Sequence, residues 1–484
     1  MIFELDELKQ KYKKRILNRL LKKHTIPEFD KIYDQASINL YSSNINIYYV
    51  KGVPLPAEIK EKITTEQRNN FKTIKTILAT DDSRFFDFIS FFMRVTNILL
   101  LQTYGDTIGY NNGTWEFNEG RTNVGPEYSY ELFSKYIHLG GINDFSLHGL
   151  RASDDTIMFR DVFEVLCRRP KNMNEFGDLL QEYFLKSFDE LKNRHIGGTT
   201  KRSLEMLDTV GWKNMPYSSM DIGSGACMRT GAIGIMFPGI HNRKKLIYMA
   251  VEASRITHNS ATAILGGVAS ALFMAYGIEG IPVEHWPYYM LKIVKGDYVS
   301  DYIKKTRPND YDKFMRDKSQ FIQQWEKYHR FRFDGLKAKQ TPRMMQNISE
   351  RIKYLADNFS KNRKDFPGGC GDDATIIAYD SLLEGGKSLE KVIVYSALHY
   401  GDSDTTASMA LSWYGAAYAN SYIIDKKILN QFKELEFVEY YEKMFYLNTD
   451  FIKKIIKVYY YDMMRSSIMT GPAYLNAYKI FKNV

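Results

Sequence analysis

Apolar residues recur along most of this chain at helical spacing, and strand-like alternation is scarce. The pattern predicts an all-α fold: one large helical bundle in which small residues let helices approach closely. A strongly apolar helix is expected over 85–104, ended by Gly105, with 106–110 and 111–117 forming a turn-rich loop that carries Glu116. Ser153-Asp154-Asp155-Thr156 opens a second helix, whose Ile157, Phe159, Val162, Phe163 and Leu166 share a face and which Pro170 stops. Further helices are expected over 173–191, 228–237 and 261–276. Another holds Ile376, Ile377, Tyr379, Leu382 and Leu383, and the last is a small-residue run over 407–419. Gly197-Gly198, Gly211-Trp212, 221–226 and 367–373 read as loops. Residues 1–85 form a separate N-terminal extension of mixed helix and loop. Residues 86–484 form the helical domain, with a long C-terminal tail rich in Tyr, Phe and Lys.

Composition adds exclusions. With 484 residues, 44% hydrophobic and 14% aromatic, the chain can bury a sizeable core. Cys167, Cys227 and Cys370 are too far apart for a disulfide framework or a cysteine zinc site, so a reducing, cytoplasmic setting is expected. The first residues lack the apolar core of a signal peptide. The apolar run 85–101 carries Asp87, Arg94 and Asn97, which predicts a buried helix and no membrane span. The net charge of +9 fits nucleic acid, an acidic surface or an anionic small ligand. Its densest part, Lys9 to Lys23, reads first as a solvated helix face, and otherwise as a contact for nucleic acid or a protein partner.

The chemistry concentrates in two acid and hydroxyl clusters. One is Asp402-Ser403-Asp404-Thr405-Thr406, preceded by His399-Tyr400-Gly401. The other is Ser153 to Thr156. Each alone reads as a helix cap, because Asp, Ser and Thr satisfy free N–H groups at the positive end of the helix dipole. Together they gather the hard oxygen ligands that Mg²⁺, Mn²⁺ or Ca²⁺ prefers. If both helix starts face one pocket, four carboxylates converge, and bound cations, two of them sharing a carboxylate, would offset the charge. Two glycine-rich loops, Gly223-Ser224-Gly225 and Pro367-Gly368-Gly369-Cys370-Gly371, turn the chain and can offer N–H groups to phosphates, although neither matches a P-loop. His258 has no second histidine at ligand spacing and reads as a structural hydrogen-bonding residue.

The two acid clusters, with the first loop from Gly105-Asp106 through Trp115-Glu116-Phe117, resemble the ADP-ribosylglycohydrolases, and most closely the ADP-ribosylarginine hydrolase branch. Gly211-Trp212, Gly225 to Arg229, Thr257-His258, 265–276 and Ala378-Tyr379-Asp380 extend the likeness in order from about Phe92 to Tyr418. The resemblance implies an all-helical hydrolase with two Mg²⁺ (or Mn²⁺) ions that cleaves the bond between ADP-ribose and a modified protein, arginine-linked above all. Ser153, Asp154, Asp155, Asp402, Asp404 and Thr405 would be the metal ligands. Asp154, Asp155 and Glu116 would carry the chemistry, Asp155 with the water and Glu116 in gating or proton transfer. The loops 223–225 and 367–371 would hold the diphosphate and adenosine side. Serine- or nucleic-acid-linked ADP-ribose as substrate, and a non-catalytic reader or scaffold, are the alternatives.

Overall fold

Glycine and alanine at helix crossings set the architecture. The computed structural model describes residues 82–117, 125–335, 342–345, 347–360, 366–418, 431–432, 434–438 and 440–441, so nearly all of the expected N-terminal extension, with its basic cluster, lies outside the described residues. In chain order the helices are α1 (Asp82–Tyr110), α2 (Tyr128–His138), α3 (Gly141–Asp144), α4 (Asp154–Cys167), α5 (Met173–Leu191) and α6 (Gly198–Val210). Then come α7 (Cys227–Met236), α8 (Arg243–Arg255), α9 (Ala261–Ile278), α10 (Trp286–Lys295) and α11 (Tyr298–Thr306). The series closes with α12 (Pro308–Phe333), α13 (Ile348–Phe359), α14 (Gly371–Gly385), α15 (Leu389–Ala397) and α16 (Ser403–Tyr418). Among the described residues there is no strand, only an isolated antiparallel bridge between Gly223 and Cys370. The fold is all-α, as the periodicity predicts.

α9 is the middle of the bundle. Every one of its residues is buried, and it packs against α7, α8, α14 and α16. It is also the one described helix long and apolar enough to cross a membrane, and the protein itself covers it completely. Behind the second glycine-rich loop, Asp380 of α14 receives Arg351 of α13 at 2.5 Å and Arg332 of α12 at 2.6 Å, with Glu384 also on Arg332 at 3.0 Å. The two guanidinium groups hold the Asp380 carboxyl below the usual carboxylate range against the opposing effect of burial. Removing one partner of such a buried pair costs about 3–5 kcal/mol, so this network fixes α14 firmly to α12 and α13.

Three expected boundaries shift: the last helix begins at Ser403 and not at 407, 371–373 of the expected loop belong to α14, and the end of α1 moves furthest. α1 does not stop at Gly105 but runs on to Tyr110, so the expected loop over 106–110 is helical. The glycines are there for contact with α16. A Cβ on Gly105 would lie 2.5 Å from the Ala407 carbonyl oxygen, and one on Gly109 would lie 2.4 Å from that of Ser403. Read along the chain they look like a helix stop, whereas in the fold they let two backbones touch. The consequence is that Asp106 comes to lie on a rigid helix.

Candidate functional site

The site assembles where α1, α4 and α16 meet. Ser153 caps α4: its hydroxyl accepts the Asp155 N–H at 3.2 Å. The Asp154 N–H goes to the Arg194 carbonyl at 3.2 Å, and the remaining donors of that helix start are satisfied from α1. The Asp106 carboxylate accepts the Ser153 N–H at 3.0 and 3.1 Å, the Thr156 N–H at 3.0 Å and a short bond from the Thr156 hydroxyl. α16 is tied in by Asp155, whose two oxygens accept the hydroxyls of Thr405 at 3.2 Å and Ser408 at 2.9 Å. Thus the two clusters, about 250 residues apart in sequence, are joined by direct hydrogen bonds.

Glu116 enters from the loop after α1. Phe117 donates its N–H to the Gly401 carbonyl at 2.9 Å, which brings that loop onto the start of α16. The carboxylates of Glu116, Asp402 and Asp404 then offer oxygens within 4.8 Å of one another. His195, whose ring faces solvent, meets Glu116 through Nδ1 at 2.5 Å. Among the described residues this is the one contact with a basic side chain made by any of the six acids Asp106, Glu116, Asp154, Asp155, Asp402 and Asp404. All six are buried.

Such a group resists ionising. Two like charges 4 Å apart repel by about 4 kcal/mol at an effective dielectric constant near 20. Burial first, and Asp404 next, push Asp154, Asp155, Asp402 and Glu116 well above the usual carboxylate range. The same causes raise Asp106 to about 7. Protons or cations must offset the charge. The donor set is oxygen throughout, carboxylate and hydroxyl, which fits a hard divalent cation and not zinc or copper.

The turn before α16 is locked by a histidine. His399 Nδ1 accepts the Gly401 N–H at 3.1 Å, so Nε2 carries the proton and donates to the Thr406 hydroxyl at 2.7 Å. Burial keeps this ring neutral, with its pKa lowered to about 3. Gly401 has no room for a side chain, since a Cβ would lie 1.9 Å from the Pro367 carbonyl oxygen. That carbonyl accepts the Asp402 N–H at 2.9 Å.

The two glycine-rich loops lie against each other and against the acids. Ser224 donates its N–H to the Gly369 carbonyl at 3.3 Å, Gly371 donates to Ile222 at 2.8 Å, and the Ser224 hydroxyl donates to Asp402 at 2.9 Å. The N–H groups of Gly368 and Cys370 go to the Asp373 carboxylate, and that of Gly369 goes to the Phe366 carbonyl. With Gly371 on Ile222, the whole run 368–371 has its N–H groups satisfied within the protein. It can therefore offer a ligand a shaped wall, but no unspent N–H groups. Cys370, Asp372 and Asp373 also lie close together, and the Asp373 oxygens there are occupied in capping α14. His258 is structural: Gly223 and Gly225 pack on its ring, and Nδ1 pairs with the Thr257 hydroxyl at 2.8 Å.

All the residues singled out in the sequence, Ser153, Asp154, Asp155, Asp402, Asp404, Thr405, Glu116 and both loops, surround this one site. Asp106, Ser408 and His195 are the additions. Asp106 carried a usable signal, an acid one helical turn from the apolar run. His195 and Ser408 carried none.

Residues 89–455 match the family model described as ADP-ribosylglycohydrolase. ADP-ribosyl glycohydrolase L444 of Acanthamoeba polyphaga mimivirus is 48% identical over 380 residues, which cover 77% of this chain and 73% of that protein. ADP-ribosylhydrolase ARH1 of Dictyostelium discoideum is 29% identical over 374 residues, 72% of this chain and 90% of that one. A solved structure of an ADP-ribosylglycohydrolase-related protein complex aligns with a TM-score of 0.45 at 15% identity, covering 74% of this chain and 98% of the other.

Proposed function

We propose, on the premise that this chain belongs to the ADP-ribosylglycohydrolase family, that it is a divalent-cation-dependent hydrolase of arginine-linked ADP-ribose. Its reaction is the cleavage by water of the N-glycosidic bond between ADP-ribose and the modified protein side chain. The observation that carries the reading is the convergence of six buried acids with no lysine or arginine paired to them among the described residues. Ser153, Asp154, Asp155, Asp402, Asp404 and Thr405 would hold two Mg²⁺ (or Mn²⁺) ions, which when bound offset the acidic charge and grip vicinal ribose hydroxyls.

The chain's own groups then have separate tasks. Asp155, oriented by the hydroxyls of Thr405 and Ser408, positions water and takes its proton. Asp154 and its neighbours stabilise the positive charge that develops at the anomeric carbon. Glu116 passes a proton, and His195 connects it to solvent. The loops 223–225 and 367–371 wall the diphosphate and adenosine side. Preference for arginine rests on the likeness of the Trp115-Glu116-Phe117 loop to that branch.

The test is release of ADP-ribose from arginine-, serine- and nucleic-acid-linked substrates, each with Mg²⁺ and with a chelator. Magnesium-dependent release from the arginine-linked substrate is expected. Folded protein that binds ADP-ribose tightly and releases it from none of the three would replace the enzyme with a reader.

A further inference from the structure

Among the described residues of the C-terminal segment, those between 431 and 441 form a short stretch that packs beside the site. Gln431 donates to the Ile142 carbonyl at 2.9 Å and accepts the Tyr104 hydroxyl at 2.7 Å. Glu434 accepts the Leu147 N–H at 2.8 Å. Glu436 goes furthest toward the acids. One of its oxygens accepts the Ala152 N–H at 3.0 Å and Arg194 Nη1 at 2.8 Å, and the other accepts Arg194 Nη2 at 2.6 Å. Arg194 in turn donates to the Ala152 carbonyl at 2.6 Å, and its own carbonyl accepts the Asp154 N–H at 3.2 Å. The next residue is His195, the partner of Glu116.

We propose that Glu436 is a positioning residue for the acid site, acting through Arg194 and Ala152 on Ser153, Asp154 and the His195–Glu116 pair. This rests on the reading of the acid cluster as a divalent-cation site. Two physical effects point the same way. The forked pair between Glu436 and Arg194 fixes the N–H and the C=O of Ala152, immediately before Ser153. It also neutralises a buried guanidinium within electrostatic reach of Asp106. Without Glu436 the guanidinium keeps only Glu190, at 3.2 Å, as an acidic partner, and the excess positive charge left near the acids competes with a divalent ion for them. Partners that orient ligands in this way are worth about 10- to 100-fold in metal affinity.

The experiment is Mn²⁺ binding to the full chain, followed by electron paramagnetic resonance of the free ion, with circular dichroism to establish that each variant is folded. Glu436→Ala is expected to raise the Mn²⁺ Kd at least about tenfold, and Glu436→Gln, which keeps one acceptor oxygen, about threefold. Glu434→Ala, in the same segment, lowers thermal stability and leaves the Kd within about twofold, since surface and loop contacts of this kind act on folding alone. A folded Glu436→Ala or Glu436→Gln protein that binds Mn²⁺ as wild type does overturns the proposal. If Glu436→Ala does not fold, Glu436→Gln decides it. Wild-type protein that binds no Mn²⁺ overturns the cation reading itself, a different outcome from equal binding by wild type and variant.

Discussion

Asp106→Ala tests whether the helix start that carries Asp154 and Asp155 is organised from α1. The substitution strands two buried backbone donors, the N–H groups of Ser153 and Thr156, while the Thr156 hydroxyl keeps the Gln102 side-chain oxygen at 3.3 Å. A stranded buried donor costs about 1–3 kcal/mol, so the direct loss is about 2–6 kcal/mol. An opposing effect depends on pH. Burial and Asp404 raise Asp106 from 3.8 to about 7, so the folded state holds more protons than the unfolded state across roughly pH 4–7. Wild-type stability therefore falls as pH rises through that window, and the variant escapes this loss. At about 1.4 kcal/mol per pH unit, the relief is at most roughly 4 kcal/mol. The deficit of Asp106→Ala should thus be larger at pH 5 than at pH 8. Asp106→Asn keeps an acceptor in place and should lose about 1 kcal/mol at pH 5. Urea unfolding with chelator at the two pH values measures all of this. A deficit under about 0.5 kcal/mol at pH 5, the scatter of a neutral surface change, or an Asn variant as weak as Ala, refutes the argument.

Three further outcomes are expected. Asp155→Asn, isosteric and still able to meet one of its two hydroxyl donors, should fold normally and lower the rate of ADP-ribose release by about 100-fold or more; wild-type turnover would remove Asp155 from its assigned role. Gly401→Ala drives a methyl group into the Pro367 carbonyl and should cost about 1–3 kcal/mol or more, read by urea unfolding, with ADP-ribose release falling alongside. His329 is wholly buried and its pKa is lowered to about 4 by desolvation. The unfolded chain takes up that proton first as pH falls below about 6.5, and wild-type stability drops with it. His329→Leu should therefore be about 1–2 kcal/mol more stable than wild type at pH 5, with no such gain at pH 8.

What the sequence discloses about this molecule follows from how local each signal is. The starts of α4 and α16 are legible because a run of Asp, Ser and Thr before apolar residues has few other uses. The expected helix 173–191 matches α5, which Asn172 caps by accepting the Glu175 N–H. Gly105 and Gly109 mislead, because a glycine that ends a helix and one that admits a neighbouring backbone look alike in one dimension. Misreading them hid Asp106. His195 pairs with a residue 79 positions away and Ser408 with one 253 positions away, and no period or spacing encodes such contacts. The role of Glu436 is hidden similarly, since its partners lie 242 and 284 positions back.

The remaining question is why a site rich in acids is built at helix starts, where acids are normally consumed by capping. Here the two tasks are largely divided between residues, with Asp404 the exception: its carboxylate also accepts the Thr405 N–H at 2.8 Å. At α4 the N–H groups of Ser153, Asp155 and Thr156 are taken by Asp106 and the Ser153 hydroxyl, which spares the Asp154 and Asp155 side chains from capping their own helix. At α16 the Thr406 N–H goes to the Asp402 backbone carbonyl, and the Asp402 side chain is met by the Ser224 hydroxyl. Asp155 and Asp402 are thus held by hydroxyl donors, which orient a carboxylate without neutralising it, whereas a lysine or arginine would cancel the charge. Both helices are long enough for their dipoles to direct partial positive charge at the cluster, worth about 0.3–1 kcal/mol for each nearby anion. That is smaller than the several kcal/mol by which closely spaced carboxylates repel. On the proposed reading a bound cation would offset that shortfall, and a fixed cationic side chain in place of one of these hydroxyls would reduce it.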